Sequence, residues 1–365
     1  MTRKEYLSAV EEMGRVASDY LDGMEGFYEQ FRIRTLPEMQ AQVKERYGAV
    51  LAEKQELLSR LEPPRGLKKF HLQFLQAWGH LARSCDVFCH PIRPEEWILC
   101  LRGSRGQMCQ AMRLLYSLRL QIPGFAGHWV APEARANLEE LETRPDPPPE
   151  VSVGLMYRNW DPEPPRYTLY VPENYTPSRS WPVVVALHGG GGNDHDFIWL
   201  YLKQAKSKGY LVLVPKSMVV TWTFSDSQVM LAALQEVAAM YNVDRGAVFL
   251  TGVSDGGTFT YEFGLSNPEV FAALASVAGG FIPWPWHDFA HARKLPVYIL
   301  HGTLDKIIPV EFAHSAREVL GKYGYPLVYR ELADWAHAWP FSRMGEIFGF
   351  FEDVRQGRVG TPAAS

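Results

Sequence analysis

The chain has 365 residues, 47% of them hydrophobic and 21% charged, with a formal net charge of −4. That length exceeds one ordinary domain and predicts two, while the small charge argues against a nucleic-acid or membrane-surface partner. No apolar stretch reaches the length of a membrane span. Glu11, Glu12 and Arg15 interrupt any signal-peptide core, so the expected location is the cytoplasm.

The first 143 residues carry the period of helices. Apolar residues recur at three- and four-residue spacing from Tyr6 to Phe31, Met39 to Leu61, Leu67 to Phe88 and Trp97 to Leu115. Four such stripes predict a helical bundle over residues 1–143, to which the sequence assigns no activity. Thr35-Leu36-Pro37-Glu38 has the spacing of a capping box ahead of the second stripe. His71 and His80 read as hydrogen-bonded structural histidines. Cys85, Cys89, Cys100 and Cys109 all fall in this half. Cys85 and Cys89 lie one helical turn apart with His90 following, a spacing a metal could use. Buried free thiols are the commoner outcome, so neither a metal nor a disulfide is assigned.

Residues 144–150, Arg144-Pro145-Asp146-Pro147-Pro148-Pro149-Glu150, predict a stiff proline-rich linker. Beyond it the period changes. Residues 151–157 and 167–171 have the pattern of a hairpin. Short apolar runs at 183–187, 211–214, 248–251, 273–277 and 297–300 then alternate with helical patterns, as parallel strands covered on both faces do. The expectation is an α/β unit over 151–356, antiparallel at its start and then doubly wound and parallel. Residues 357–365 are expected to form a flexible tail.

Gly252-Val253-Ser254-Asp255-Gly256 has the pattern G-x-S-x-G between an apolar strand and a helical stretch from Thr258 to Leu265. A nucleophile on a sharp strand-to-helix turn needs small residues two positions either side, because a Cβ there would collide with the turn. Ser254 is the candidate nucleophile. Upstream, the run 183–187 ends in His188-Gly189-Gly190-Gly191-Gly192. Glycines let a peptide N–H approach a substrate, so one oxyanion donor is expected near Gly190 and the other at Asp255 N–H. A phosphate loop would carry Lys-Ser/Thr next, and none follows. His188 is expected to shape this loop.

With such a nucleophile the acid and then the histidine follow in the chain. Asp305 closes the loop after the strand at 297–300 and is the candidate acid, with Asp334 as runner-up. His314 falls in a helical pattern that would aim it away, which leaves His337 as the candidate base.

Taken together, His188 to Gly192, Gly252 to Gly257, His301-Gly302-Thr303-Leu304-Asp305 and the late His337 resemble the phospholipase/carboxylesterase family of α/β-hydrolases. They also resemble the related esterases grouped with polyhydroxybutyrate depolymerase and feruloyl esterase. The resemblance covers about residues 151–355 and implies an α/β-hydrolase fold. It further implies hydrolysis of a small carboxylic ester through an acyl-enzyme on Ser254, with Asp305 and His337 and with no metal or organic cofactor. Asp255 stands where carboxylesterase members often carry Gln, and the helical half has no counterpart in the family's minimal domain. Trp222, Phe281, Trp284 and Trp286 either line an acyl or aromatic pocket or pack in the core; both readings stay open, as does the oligomeric state. A serine peptidase or amidase on the same fold, or a binding protein that keeps only the fold, are the competing functions.

Overall fold

The computed structural model describes residues 2–93, 96–146, 150–158, 166–285 and 287–359. The chain divides into two compact units, Met1–Leu138 and Glu139–Ser365. The centre of the predicted linker, 147–149, and the end of the predicted tail, 360–365, lie outside the described residues.

In the first unit the four predicted stripes become α1 (Arg3–Glu29), α2 (Leu36–Val43) with α3 (Ala49–Arg60), α4 (Lys68–Cys89) and α5 (Trp97–Leu118). Residues 44–48 form a π turn, so α2 and α3 continue one run with a single widened turn. The capping box predicted at Thr35 does not form. Residues 33–35 make a 3-10 turn that leaves Thr35 at φ −102° and ψ 7°, whereas an N-cap needs extended geometry; its hydroxyl donates back to Arg32 O instead. The box belongs to Thr2 and Glu5, which cap α1 reciprocally. Several polar groups inside this unit pair with one another. Tyr20 Oη donates to Ser84 Oγ at 2.9 Å, and Ser84 and Ser104 each donate to the other's carbonyl across α4 and α5 at 2.9 Å. His71 Nδ1 meets Tyr6 Oη at 3.0 Å, and His80 Nδ1 meets Gln107 Oε1 at 2.8 Å. The four cysteines are free thiols, with Cys85 Sγ and Cys89 Sγ 3.9 Å apart. A short helix, α6 (Leu138–Glu142), stands at the boundary.

The second unit is built on one sheet. Among the described residues its strands are β1 (Gly154–Arg158), β2 (Tyr167–Val171), β3 (Trp181–Leu187), β4 (Leu211–Pro215), β5 (Val243–Val253), β6 (Ala273–Val277), β7 (Val297–Gly302) and β8 (Leu327–Leu332). Their spatial order is β1-β2-β4-β3-β5-β6-β7-β8. β1 and β2 pair antiparallel, as do β2 and β4, and from β4 to β8 every pairing is parallel. β3, β4 and β6 are buried along their whole length, as strands covered on both faces must be. The covering helices are α7 (Asp194–Lys208), α8 (Phe224–Met240), α9 (Asp255–Ser266), α10 (Glu311–Lys322) and α11 (Met344–Arg355). β5 begins five residues before its apolar run, because a polar stem with half-buried Asp244 and exposed Arg245 extends it.

Buried ionic groups in this unit are paired. Lys206 on α7 is 1% exposed and reaches Glu173 at 2.5 Å and Glu142 at 3.2 Å. No helix among the described residues is long and apolar enough to cross a membrane.

Candidate active site

β5 lies in the middle of the parallel part of the sheet, and the chain leaves its C-terminal end through Ser254 into α9. Ser254 has φ 61° and ψ −123°, a left-handed conformation that costs a non-glycine residue roughly 1–3 kcal/mol. Its neighbours hold it there. Ser254 N–H donates to Val277 O on β6 at 2.9 Å, and Ser254 O accepts from Thr258 N–H at 2.9 Å. The flanking glycines are required by contact. A Cβ on Gly252 would stand 2.2 Å from Gly256 O, and one on Gly256 would stand 2.2 Å from Leu187 O at the end of β3. Any larger residue would force the turn open, and the hydroxyl would lose its projection from the sheet edge.

Ser254 Oγ lies 2.8 Å from His337 Nε2, and His337 Nδ1 lies 2.7 Å from Asp305 Oδ2. The carboxylate accepts from Nδ1–H, which fixes the tautomer and leaves Nε2 to accept from the serine hydroxyl. Asp305 is 6% exposed. Burial alone would raise its pKa, but bonds from His301 and His337 and the Ile308 N–H outweigh it and hold the carboxyl well below its ordinary value. Asp305 Oδ1 accepts from the N–H groups of Ile307 and Ile308, each at 2.9 Å.

The loops carrying acid and base are stitched together. Leu304 N–H donates to Trp335 O at 2.8 Å, and Asp334 N–H donates to Thr303 Oγ1 at 3.0 Å. A Cβ on Gly302 would stand 2.4 Å from Trp335 O, so only glycine lets the His337 loop come this close. The sequence named His301 and Gly302 only within the motif that ends at Asp305 and gave Trp335 no role; the glycine before a turn was the one sign of close approach. His301 is buried, its Nε2–H donating to Ile308 O at 2.7 Å. Of the runners-up, Asp334 is exposed, and His314 on α10 pairs with Glu331 at 2.8 Å.

The glycine loop lies against the elbow. A Cβ on Gly189 would be 3.3 Å from Ser254 Cβ, and one on Gly190 would be 3.7 Å from Asp255 Cβ. Asp255 is the first residue of α9, where a helix leaves its N–H without an intrahelical acceptor. His188 does shape this loop: its Nδ1–H donates to Gly189 O at 2.8 Å, and its Nε2 accepts from Ser217 N–H at 3.2 Å. Burial pushes its pKa down to about 4, so it is neutral near pH 7.

The residues proposed as pocket walls are mostly packed. Trp222 is 7% exposed; its Nε1–H donates to His188 O at 2.7 Å and its ring stacks on Phe259. Phe281 packs on Tyr261 and also lines a shallow cavity of about 270 Å³ with Ile282, Pro283, Glu311, Phe312 and Ser315. Trp284 is buried beside Phe289, and Trp286 lies outside the described residues.

Residues 215–354 match the phospholipase/carboxylesterase family, a stretch that contains Ser254, Asp305 and His337. The second unit has the fold of an α/β-hydrolase. Over 157 residues the chain is 25% identical to a probable feruloyl esterase C of Aspergillus terreus, covering 40% of this chain and 56% of that one. It thus spans little more than half the length of that curated relative. Over 152 residues it is 29% identical to a bifunctional acetylxylan esterase/xylanase of Neocallimastix patriciarum, covering 38% of this chain and 21% of that one. A thermostable esterase of known structure aligns with 54% of this chain and 62% of its own at 22% identity, with a TM-score of 0.44. The family match begins at residue 215, so the glycine loop of this α/β-hydrolase lies outside it.

Proposed function

We propose that the hydrolase unit cleaves carboxylic esters through an acyl-enzyme on Ser254. The observation that carries this reading is the unbroken line of hydrogen bonds Ser254–His337–Asp305. His337 Nε2 takes the hydroxyl proton as Oγ attacks the ester carbonyl. Asp305 stabilises the resulting imidazolium without itself becoming protonated. N–H groups of Gly190 and Asp255 receive the oxyanion, each such donor being worth about 3 kcal/mol in the transition state. The tetrahedral intermediate collapses, the C–O bond to the alcohol breaks, and His337 gives its proton to the leaving oxygen. Water then attacks the acyl-enzyme with His337 again as base, which releases the acid and restores Ser254.

The substrate end of the reading rests on the loops around Ser254. Val219 and Val220, before α8, are 57% and 69% exposed, and Ile282, after β6, is 69% exposed. Both loops leave the sheet at the C-terminal ends of parallel strands, the edge that carries the nucleophile. With Phe281 at its cavity, they offer apolar surface to the acyl or alcohol part of a small-molecule ester. Trp284 packs beside Phe281, and Trp222 is buried against Phe259. For location, the four free thiols favour a reducing compartment such as the cytoplasm.

The test is a panel of p-nitrophenyl esters of increasing acyl size beside matched aminoacyl-anilides, run on wild type and Ser254→Ala. Turnover of esters by wild type alone supports the proposal. Preferential turnover of anilides would make the unit an amidase or peptidase, and no Ser254-dependent turnover of either would sink it.

A further inference from the structure

A nucleophile elbow uses only the main chain of the residue after the serine, so the side chain at 255 is free to be almost anything. Here it is a half-buried carboxyl, which costs free energy unless it is bonded. It is bonded: Asp255 Oδ2 accepts from Trp222 N–H at 2.9 Å. Burial still raises this carboxyl above its ordinary value, against the pull of the Trp222 N–H and with Asp226 adding to the rise.

Trp222 closes the segment 216–222 between β4 and α8, and this segment carries the glycine loop. Lys216 Nζ donates to Gly192 O and Gly191 N–H donates to Val220 O, both at 2.6 Å. Trp222 Nε1–H and Ser217 N–H hold His188 at its carbonyl and its ring. The segment's other end is tied to α8, where Asp226 Oδ1 accepts from Met218 N–H at 2.7 Å. The three pieces converge at Gly190, where a Cβ would lie 3.7 Å from Asp255 Cβ and 3.8 Å from Val220 O.

We infer that Asp255 is a positioning residue whose carboxyl fastens segment 216–222, and through it the glycine loop, to the nucleophile elbow. One residue thereby sets the register between the two halves of the oxyanion site, its own N–H on one side and the Gly190 N–H on the other. The inference rests on the acyl-enzyme reading above. Misplacement of such a site by 1 Å can cost about 100-fold in rate.

The experiment compares Asp255→Ala with Asp255→Asn, which keeps an acceptor oxygen for Trp222 N–H. Active sites are counted by fluorophosphonate titration, and Asp255→Ser replaces the alanine variant should that fail to fold. The expected result for Asp255→Ala is a fall in kcat of about 10- to 100-fold with KM for a short ester changed less than about 3-fold. Affinity for a trifluoromethyl ketone, whose adduct on serine carries an oxyanion, falls in parallel, and Asp255→Asn recovers most of both losses. Wild-type kcat and ketone affinity in Asp255→Ala, or an asparagine variant as impaired as alanine, would overturn the inference. An inactive, unlabelled wild type would instead overturn the esterase reading, so the two failures are distinct.

Discussion

His337 Nδ1 and Asp305 Oδ2 stand 2.7 Å apart across 32 residues of chain. The bonds from Leu304 to Trp335 and from Asp334 to Thr303 bring their loops together, and Gly302 leaves room for the approach. An asparagine in place of Asp305 keeps the shape but can present N–H to Nδ1, favouring the wrong tautomer. Asp305→Asn is expected to lower kcat by about 10³- to 10⁴-fold with a small change in KM, measured on a short ester in the steady state.

The same carboxyl makes a stability prediction. Its native pKa lies below its unfolded value, so the unfolded chain binds its proton first as acid is added. Its contribution is present above the ordinary carboxylate pKa of about 3.9 and is lost as the pH falls toward the depressed native value. The stability difference between wild type and Asp305→Asn, from urea unfolding, is expected to be smaller at pH 3 than at pH 6.

His188 acts over a higher pH range and with the same sign. It is 1% exposed, and burial lowers its pKa from 6.5 to about 4. Between those values the unfolded chain takes up a proton that the native state refuses, so stability falls as pH drops from 6.5 to about 4. The full span amounts to about 3 kcal/mol. In His188→Asn, urea midpoints at pH 7 and pH 4.5 should lie closer together than in wild type.

Two glycines separate close approach from mere presence. Gly252→Ala sets a Cβ against the Gly256 carbonyl at 2.2 Å, and a loss of more than about 3 kcal/mol is expected. Gly106 lies within α5 with nothing in reach of a new Cβ, and Gly106→Ala is expected to stabilise by about 0.5–1 kcal/mol. Thermal unfolding of the two variants reads both signs.

The strands of the α/β unit were legible because β3, β4 and β6 are buried on both faces and so spell apolar runs broken only by Ser276. Ser254, Asp305 and His337 could be proposed from the sequence because each follows a strand at one sheet edge, and the helical pattern around His314 set it apart from His337. The capping box misplaced at Thr35 shows the limit: four residues of correct spacing cannot reveal that a 3-10 turn precedes them. The roles of Gly302 and the Asp255 carboxyl were hidden for a related reason. Each depends on a partner far along the chain, Trp335 and Trp222, and no local pattern encodes such a meeting. The aromatic residues Trp222 and Trp284 left two roles open because packing and lining draw on the same side chains.

The most direct test of the account is mass spectrometry of the whole chain after reaction with a fluorophosphonate, in wild type, Ser254→Ala and His337→Ala. The account predicts one phosphonyl adduct on Ser254 in wild type, none in Ser254→Ala, and labelling slowed by at least about 100-fold in His337→Ala. Ester hydrolysis that survives Ser254→Ala, or labelling of Ser254 at the wild-type rate without His337, would contradict it.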